Sequence, residues 1–244
     1  MKQNKKLIRI TAIILAVVVV LTGSVFIYLG TYYKAADVDA YMSGSSTVNV
    51  TKTDYGYFFD GSGSDDAFIF YPGAKVDEKA YAPILFQLAS DGIDCFLVSM
   101  PFHMAIFDVN KADEIIDKYD YSNWYIGGHS MGGAMAAQYV ANHKDNNTFK
   151  GLVFWAAYSA KDISDTHIPV LSLYGDKDGV LNMDKVESGR NLVDSDRYSE
   201  VVIEGGNHAG FASYGRQKGD NDASITKDEQ WNQASRAIVE FIKR

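Results

Sequence analysis

Short apolar runs alternate with amphipathic stretches along most of the chain. After residue 46, eight runs of four to seven residues are rich in aromatic and β-branched residues, which is typical of strands. Between them apolar residues recur at helical spacing, as at Ala80, Ile84 and Leu88. We predict strands at 47–51, 55–59, 67–71, 93–99, 124–127, 152–156, 170–174 and 199–203, and helices at 79–90, 111–118, 131–143, 183–192 and 230–242.

The order of these elements predicts an architecture. The first two strands follow each other directly, so we expect them to form an antiparallel pair. The later strands alternate with helices, which indicates an α/β fold: a mainly parallel sheet with helices on both faces. The connections are too short for an inserted lid, and we expect a single domain over residues 47–244.

The N-terminal part of the chain has a different pattern. From Ile10 to Tyr33 no residue is charged, a run of 24 residues bounded by Arg9 and Lys34. About 20 apolar residues cross the hydrocarbon core of a bilayer, so this length predicts one transmembrane helix with some tilt. Three tyrosines near the end of the run match an interfacial aromatic belt.

The charges beside this segment predict its orientation. Residues 1–9 contain four basic residues and no acid, which favours a cytoplasmic basic segment and an extracytoplasmic domain. Residues 10–33 are then a transmembrane signal anchor, and residues 34–46 are a linker. The alternative is a secretory signal that is cleaved near Ala35-Ala36, which would release the domain from the membrane.

Composition limits the classes of function. Hydrophobic residues make up 47% of the chain and charged residues 22%, which is typical of a folded protein. After residue 9 there are 19 basic and 31 acidic residues, so the net charge there is about −12, and we expect no nucleic-acid partner. The single Cys95 excludes an intramolecular disulfide and lies in an apolar run, which predicts a buried thiol.

No cofactor or metal is expected. The stretch Asp220-x-Asp222-x-Ser224 resembles the start of a calcium loop, but Ile225 stands where the loop needs Gly and Trp231 where it needs Glu. Glycine pairs elsewhere lack the dinucleotide-binding fingerprint.

The most informative stretch is Gly128-His129-Ser130-Met131-Gly132. It follows a predicted strand and opens a predicted helix, which is the setting of a nucleophile elbow. Such a turn is sharp, so the residues two positions before and after Ser130 must lack side chains for strand and helix to approach each other. The pattern predicts Ser130 as a nucleophile, with backbone N–H groups at the helix start facing the reacting carbonyl. His129 is next in sequence to the nucleophile, and we interpret it as structural.

A serine hydroxyl needs a base, and the base needs a carboxylate that orients it. Asp176 and Asp178 follow the strand at 170–174, and His208 follows the last strand, in the chain order that such enzymes use. We favour Asp178 over Asp176, which is closer to the turn. His208 is favoured as the base over the histidines at 103, 143 and 167.

The second oxyanion donor is expected in the loop after the third strand. This loop contains Pro72-Gly73-Ala74, where many hydrolases have His-Gly. The Ala74 N–H would then join the Met131 N–H around a developing oxyanion.

Together these residues identify a resemblance. The stretches Phe70-Tyr71-Pro72-Gly73, Met100-Pro101-Phe102, Gly127–Ala134 and Gly205-Gly206-Asn207-His208-Ala209 resemble the bacterial α/β-hydrolase fold-5 family, a dienelactone-hydrolase-like group of lidless serine hydrolases. The resemblance runs from about residue 68 to 230 and implies the α/β-hydrolase fold. It also implies a catalytic triad of Ser130, Asp178 and His208. Ala74 and Gly210 depart from the family pattern, where Gly and Gln are usual.

These observations predict a membrane-anchored serine hydrolase. We expect it to cleave a carboxylic ester, lactone or related acyl bond of a small molecule through an acyl-serine intermediate. The absence of a lid favours short esters or lactones over long-chain lipids. Two alternatives remain open: a catalytically silent, membrane-tethered binding module with the same fold, and an acyltransferase.

Overall fold

The structure is a computed structural model that describes residues 2–63, 65–144 and 148–244, with the backbone alone described for residues 2–9. The chain divides into two compact units, Met1–Tyr32 and Tyr33–Arg244. Of the predicted basic segment at 1–9, Met1 and the side chains of residues 2–9 lie outside this description. The prediction that this segment is cytoplasmic therefore stays a prediction.

The first unit contains helix α1 (Lys2–Gly30). Its stretch Ile10–Gly30 is long and apolar enough to cross a membrane, by length and composition alone. A cleaved signal sequence passes the same criterion, so both alternatives for this segment remain.

The second unit is built on one eight-stranded sheet with strand order β1-β2-β4-β3-β5-β6-β7-β8. The strand β2 pairs antiparallel with β1 and β4, and every other pair is parallel. This confirms the predicted antiparallel opening and mainly parallel sheet. The strands are β1 (Asn49–Thr53), β2 (Gly56–Asp60), β3 (Asp66–Tyr71), β4 (Asp94–Val98), β5 (Asn123–His129), β6 (Phe149–Trp155), β7 (Val170–Gly175) and β8 (Tyr198–Ile203).

Helices cover both faces of the sheet. Their bounds are α2 (Asp39–Met42), α3 (Ala82–Ser90), α4 (Asp113–Ile116), α5 (Met131–Asn142), α6 (Met183–Arg190) and α7 (Lys227–Ile242). One apolar cluster joins α3 and α7 to one sheet face around Trp155, and a second joins α5 to the opposite face around Phe96. Strands buried on both faces explain the unbroken apolar runs at β3, β4 and β6.

Three helices begin at residues other than those predicted. The segment Glu78–Tyr81 is a 3₁₀ turn, so the helix proper begins at Ala82. α4 is a single turn instead of the predicted 111–118. α7 begins three residues earlier than predicted because Thr226 and Glu229 form a reciprocal capping box at its start.

Residues 33–46, most of which the sequence predicts to be a linker, pack as part of the second unit. Tyr33 forms a β-bridge with Val76, and the Ala36 N–H donates to the Ser213 carbonyl at 2.8 Å. Tyr41 packs edge-on against Trp231, with ring centroids 6.2 Å apart. The compact unit of the structure begins at Tyr33, whereas the catalytic domain predicted from the sequence begins at residue 47.

Candidate active site

Ser130 occupies a strained turn between β5 and α5. Its φ of 53° and ψ of −121° lie in a region that non-glycine residues rarely adopt. The Ser130 N–H donates to the Trp155 carbonyl at 2.9 Å, and α5 begins at the next residue. Because Ser130 directly follows β5, it lies at the carboxyl edge of the parallel strands, where open α/β sheets form their sites.

The two flanking glycines are required by close backbone contact. A Cβ built on Gly128 or on Gly132 would overlap the Tyr71 carbonyl oxygen. At Gly132 it would also lie 2.5 Å from the carbonyl oxygen of Pro72. The end of β3 thus packs directly against the first turn of α5, as the steric argument from the sequence requires.

Asp178 and His208 lie together at the same edge. Oδ2 of Asp178 is 2.8 Å from Nδ1 of His208, and each side chain is only 2% exposed. The other carboxylate oxygen, Oδ1, accepts the N–H groups of Val180 at 2.8 Å and Leu181 at 2.7 Å. Nε2 of His208 is buried and has no hydrogen-bond partner among the described residues.

Asp176 lies on the same loop but has a different environment. Its Oδ1 accepts the Gly205 N–H at 2.6 Å. That backbone hydrogen bond is the largest cause of a lowered pKa at Asp176, with the ammonium of Lys177 contributing. Asp176 therefore joins two loops, and the structure brings Asp178, the favoured candidate, to the histidine.

Ser130 and His208 line one cavity of about 320 Å³. Its volume is at the lower end of the range for small-molecule sites. Small and apolar side chains form most of its wall, and the remaining lining residues are Met131, Ala134, Ala156, Ala157, Tyr158, Val180, Leu181 and Asn182.

The loop after β3 borders the start of α5. The Gly73 N–H donates to the Tyr81 hydroxyl at 3.0 Å, and the Lys75 N–H donates to the His103 carbonyl at 2.7 Å. Between them, the Ala74 N–H donates to no backbone carbonyl within the part of the chain that the structure describes. Since Gly132 packs on Tyr71 and Pro72, this loop and Met131 lie on neighbouring segments.

The other histidines lie outside this pair. His129 is buried, with its ring centroid 4.4 Å from that of His208. Burial first, and the neighbouring His208 second, lower the pKa of His129 well below its ordinary value of 6.5. His103, His143 and His167 lie beside Glu78, Asp113 and Asp194 respectively.

Asp220 supports both loops and was not predicted as a site residue. Its Oδ1 accepts the Gly179 N–H at 2.9 Å, and its Oδ2 accepts the Ala209 N–H at 2.8 Å. These donors are the residues that directly follow Asp178 and His208. In the sequence, Asp220 stood out only as the first residue of the incomplete calcium pattern. The described residues contain no cluster of three or more side chains that could hold a metal ion.

Comparisons with known proteins identify the family and the fold. The sequence model of the alpha/beta hydrolase family matches residues 67–232, which is more than half of the chain. No curated protein sequence matches the chain significantly.

Solved structures share the fold at low sequence identity. A protein from Thermoplasma acidophilum described as a predicted CIB-like hydrolase is 16% identical to this chain with a TM-score of 0.56. The match covers 80% of this chain and 99% of the Thermoplasma chain. Est1E from Butyrivibrio proteoclasticus is 13% identical to this chain with a TM-score of 0.57, and the match covers 82% of this chain and 100% of the Est1E chain. TT1662 from Thermus thermophilus is 12% identical to this chain with a TM-score of 0.57, and the match covers 80% of this chain and 97% of the TT1662 chain.

Proposed function

We propose that this chain, which belongs to the alpha/beta hydrolase family, is a membrane-anchored serine hydrolase that cleaves a carboxylic ester, lactone or related acyl bond. One observation carries the proposal. Ser130, on its strained turn, shares a cavity with His208, whose Nδ1 is paired with Asp178 while Nε2 remains unpartnered. General-base activation needs a free imidazole nitrogen that faces the nucleophile, and Nε2 of His208 and Ser130 line the same cavity. Nε2 can accept the Ser130 proton once the two groups come within hydrogen-bonding distance.

In the proposed acylation step, His208 Nε2 accepts the Ser130 hydroxyl proton while Oγ attacks the carbonyl carbon of the substrate. The Nδ1–H of the imidazolium donates to Asp178, which stays ionised and stabilises the positive charge. Two backbone N–H groups already bind Asp178 Oδ1, so the carboxylate is fixed before the reaction begins. The proton then passes from Nε2 to the leaving alkoxide, which departs as an alcohol.

The carbonyl oxygen becomes an oxyanion during the attack. The Met131 N–H, at the first position of α5, and the Ala74 N–H are the proposed donors to it. In deacylation, water gives a proton to His208 and its hydroxyl attacks the acyl carbon. Proton return to Ser130 Oγ releases the carboxylic acid.

The dimensions of the cavity support small acyl groups. Ala134, Ala156 and Ala157 leave space beside Ser130, and Val180 and Leu181 give that space an apolar wall. A volume of about 320 Å³ suits a short ester or a lactone, in agreement with the prediction from the sequence that no lid is inserted.

One observation supports an uncleaved anchor over a cleaved signal. Tyr33 and Ala36 are hydrogen-bonded to Lys75 and Ser213, so cleavage near Ala35 would remove the bridge residue Tyr33 from the fold. The stretch Ile10–Gly30 has the length and composition of a membrane span, which both alternatives require.

A fluorophosphonate probe tests the chemistry on the full chain. The wild type and Ser164→Ala, which removes a surface serine, should both be labelled, and Ser130→Ala should not. Equal labelling of Ser130→Ala would contradict the assignment. If Ser130 is labelled but short esters and lactones react only when an alcohol is added, the activity is acyl transfer.

Protease added to intact cells tests the topology. An extracytoplasmic domain should be released or degraded while the first residues stay with the membrane. If the domain is completely protected until the cells are lysed, the orientation is the reverse of the one proposed. If the protein isolated before protease treatment already lacks its first residues, the N-terminal segment is a cleaved signal.

A further inference from the structure

Exposed apolar side chains of the second unit are concentrated near the proposed site. Among its described residues, six large hydrophobic side chains are exposed; four of them lie on the loops after β4 and β7, and a fifth, Met183, is the first residue of α6, directly after the second loop. These two loops leave the carboxyl edge of the sheet, as Ser130 does. The five are Phe102, Ile106, Phe107, Val180 and Met183, and the sixth is Val202, in β8.

The loop after β4 holds three of these side chains outward in a defined conformation. Phe102, Ile106 and Phe107 are 46%, 52% and 52% exposed, and the rings of Phe102 and Phe107 meet edge-on at 5.7 Å. The intervening Ala105 is completely buried, which fixes the loop to the domain. Phe102 has a φ of 54°, so the backbone adopts an unfavourable conformation while its ring remains in solvent.

This loop is connected by backbone hydrogen bonds to the residue where the second unit begins. The Tyr33 N–H donates to the Lys75 carbonyl at 2.7 Å, and the Lys75 N–H donates to the His103 carbonyl at 2.7 Å. Lys75 therefore joins the entry point of the chain to the residue after Phe102. Only Thr31 and Tyr32 separate Tyr33 from the end of α1, so an anchored chain keeps Tyr33 close to the lipid surface.

We propose that Phe102, Ile106 and Phe107 form a lipid-contact loop that inserts into the interface of the membrane in which the chain is anchored. The inference rests on the proposed membrane anchoring. Aromatic side chains favour the headgroup region, and an exposed apolar patch of this kind marks an interaction site. Because the chain after residue 9 carries a net charge of about −12, charge attraction to anionic lipids is disfavoured and the contact must be apolar.

Tryptophan quenching in proteoliposomes tests the proposal with the full chain. The native Trp124, Trp155 and Trp231 are buried, so they report little on lipid contact. Phe107→Trp adds a probe on the loop, and Val202→Trp adds one at a similarly exposed position on β8. In phosphatidylcholine brominated on the upper acyl chain, the added emission of Phe107→Trp should fall about twofold, while that of Val202→Trp stays unchanged.

Each outcome decides one of the two proposals. If Phe107→Trp and a second probe, Ile106→Trp, are both unquenched while Ser130 is labelled by fluorophosphonate, the lipid-contact loop is overturned and the enzyme proposal stands. Quenching of the loop probes without labelling of Ser130 supports the loop and overturns the chemistry. Emission that is blue-shifted but insensitive to bromine means that protein covers the loop, which also overturns the proposal. If the emission of Val202→Trp is quenched as strongly as that of Phe107→Trp, the loop is not a specific lipid-contact surface and the proposal is overturned.

Discussion

The Tyr81 hydroxyl lies 2.8 Å from Nδ1 of His129, and neither side chain reaches solvent. The same hydroxyl oxygen accepts the Gly73 N–H, and it shares one further hydrogen bond with Nδ1, in which either atom can be the donor according to the tautomer of neutral His129. This short chain of hydrogen bonds connects the loop of Ala74 to the residue that precedes Ser130. It couples the two segments that carry the proposed oxyanion donors.

Tyr81→Phe should therefore affect both stability and turnover. The substitution leaves the Gly73 N–H and His129 Nδ1 buried without a partner, which should lower the free energy of unfolding by about 1–3 kcal/mol. Loss of the Gly73 bond should also loosen the Ala74 loop and reduce kcat. Urea unfolding and p-nitrophenyl ester hydrolysis measure the two effects.

The matched control for that variant is Tyr198→Phe. It also removes one hydroxyl, but this hydroxyl donates to Glu200, which retains Arg190 and Tyr174 as donors. Its kcat should equal that of the wild type. A Tyr81→Phe protein with unchanged kcat would show that the hydrogen-bond chain does not reach the site.

Replacing Asp178 by Asn should decrease kcat by roughly 10³–10⁴-fold, because an amide neither fixes the imidazole tautomer nor stabilises the imidazolium. Asp176→Asn is the matched control. Asn keeps an oxygen that accepts the Gly205 N–H, so activity should remain near that of the wild type. Steady-state kinetics of the two variants decide between the carboxylates, and a larger loss at Asp176 would reverse the assignment.

Asp220→Ala should lower kcat by roughly 10- to 100-fold, because small displacements of catalytic groups are costly. Its carboxylate binds the residues following Asp178 and His208, and its loss frees both loops. Asp222→Ala should have no measurable effect, since its ion pair with Arg216 is highly exposed. Equal kinetics for the two variants would contradict the positioning role of Asp220.

Glu78 should make the protein sensitive to acid. Burial alone would raise its pKa, but hydrogen bonds with His103 and Ser99 outweigh burial and lower it below the ordinary value of 4.5. A carboxyl whose pKa is lowered by folding stabilises the protein above pH 4.5, and that stability is lost as pH falls through the folded pKa. Its partners lie at the carboxyl end of β4, and His103 also binds Lys75.

Glu78→Gln should therefore flatten the acid limb of the stability curve. Between pH 7 and pH 3, the urea midpoint of the variant should fall less than that of the wild type, even if the variant is less stable at pH 7. Parallel curves for the two proteins would show that another carboxyl carries the acid sensitivity.

Three predictions from the sequence are confirmed: the α/β class, the succession of β3 to β8 along the chain, and the family. They could be made because each depends on local patterns in the sequence. Fully buried strands have unbroken apolar runs, and the turn around Ser130 needs glycines at fixed positions. The roles of Ser130, Asp178 and His208 stay predictions, although the structure brings Asp178 to His208 and places Ser130 in the same cavity.

Other features depend on contacts between distant parts of the chain and leave no local pattern. Asp220 acts on backbone groups 41 and 11 residues away. Residues 33–46 are polar and rich in small residues, as linkers are, yet Tyr33 and Tyr41 are held by Val76 and Trp231. No periodicity indicates such partners, which become visible only when the sheet brings them together.

The walls of the cavity and the support of the nucleophile come from different parts of the fold. The turn at Ser130 is constrained by Tyr71 and Pro72 on one side, and by Trp155 at the end of β6 and Ala157 after it on the other. Val180 and Leu181 belong instead to the loop after β7, and substitutions of their side chains change the space beside the serine without altering those contacts. Selectivity can thus drift in evolution, or be redesigned in the laboratory, while the reactive geometry is inherited unchanged.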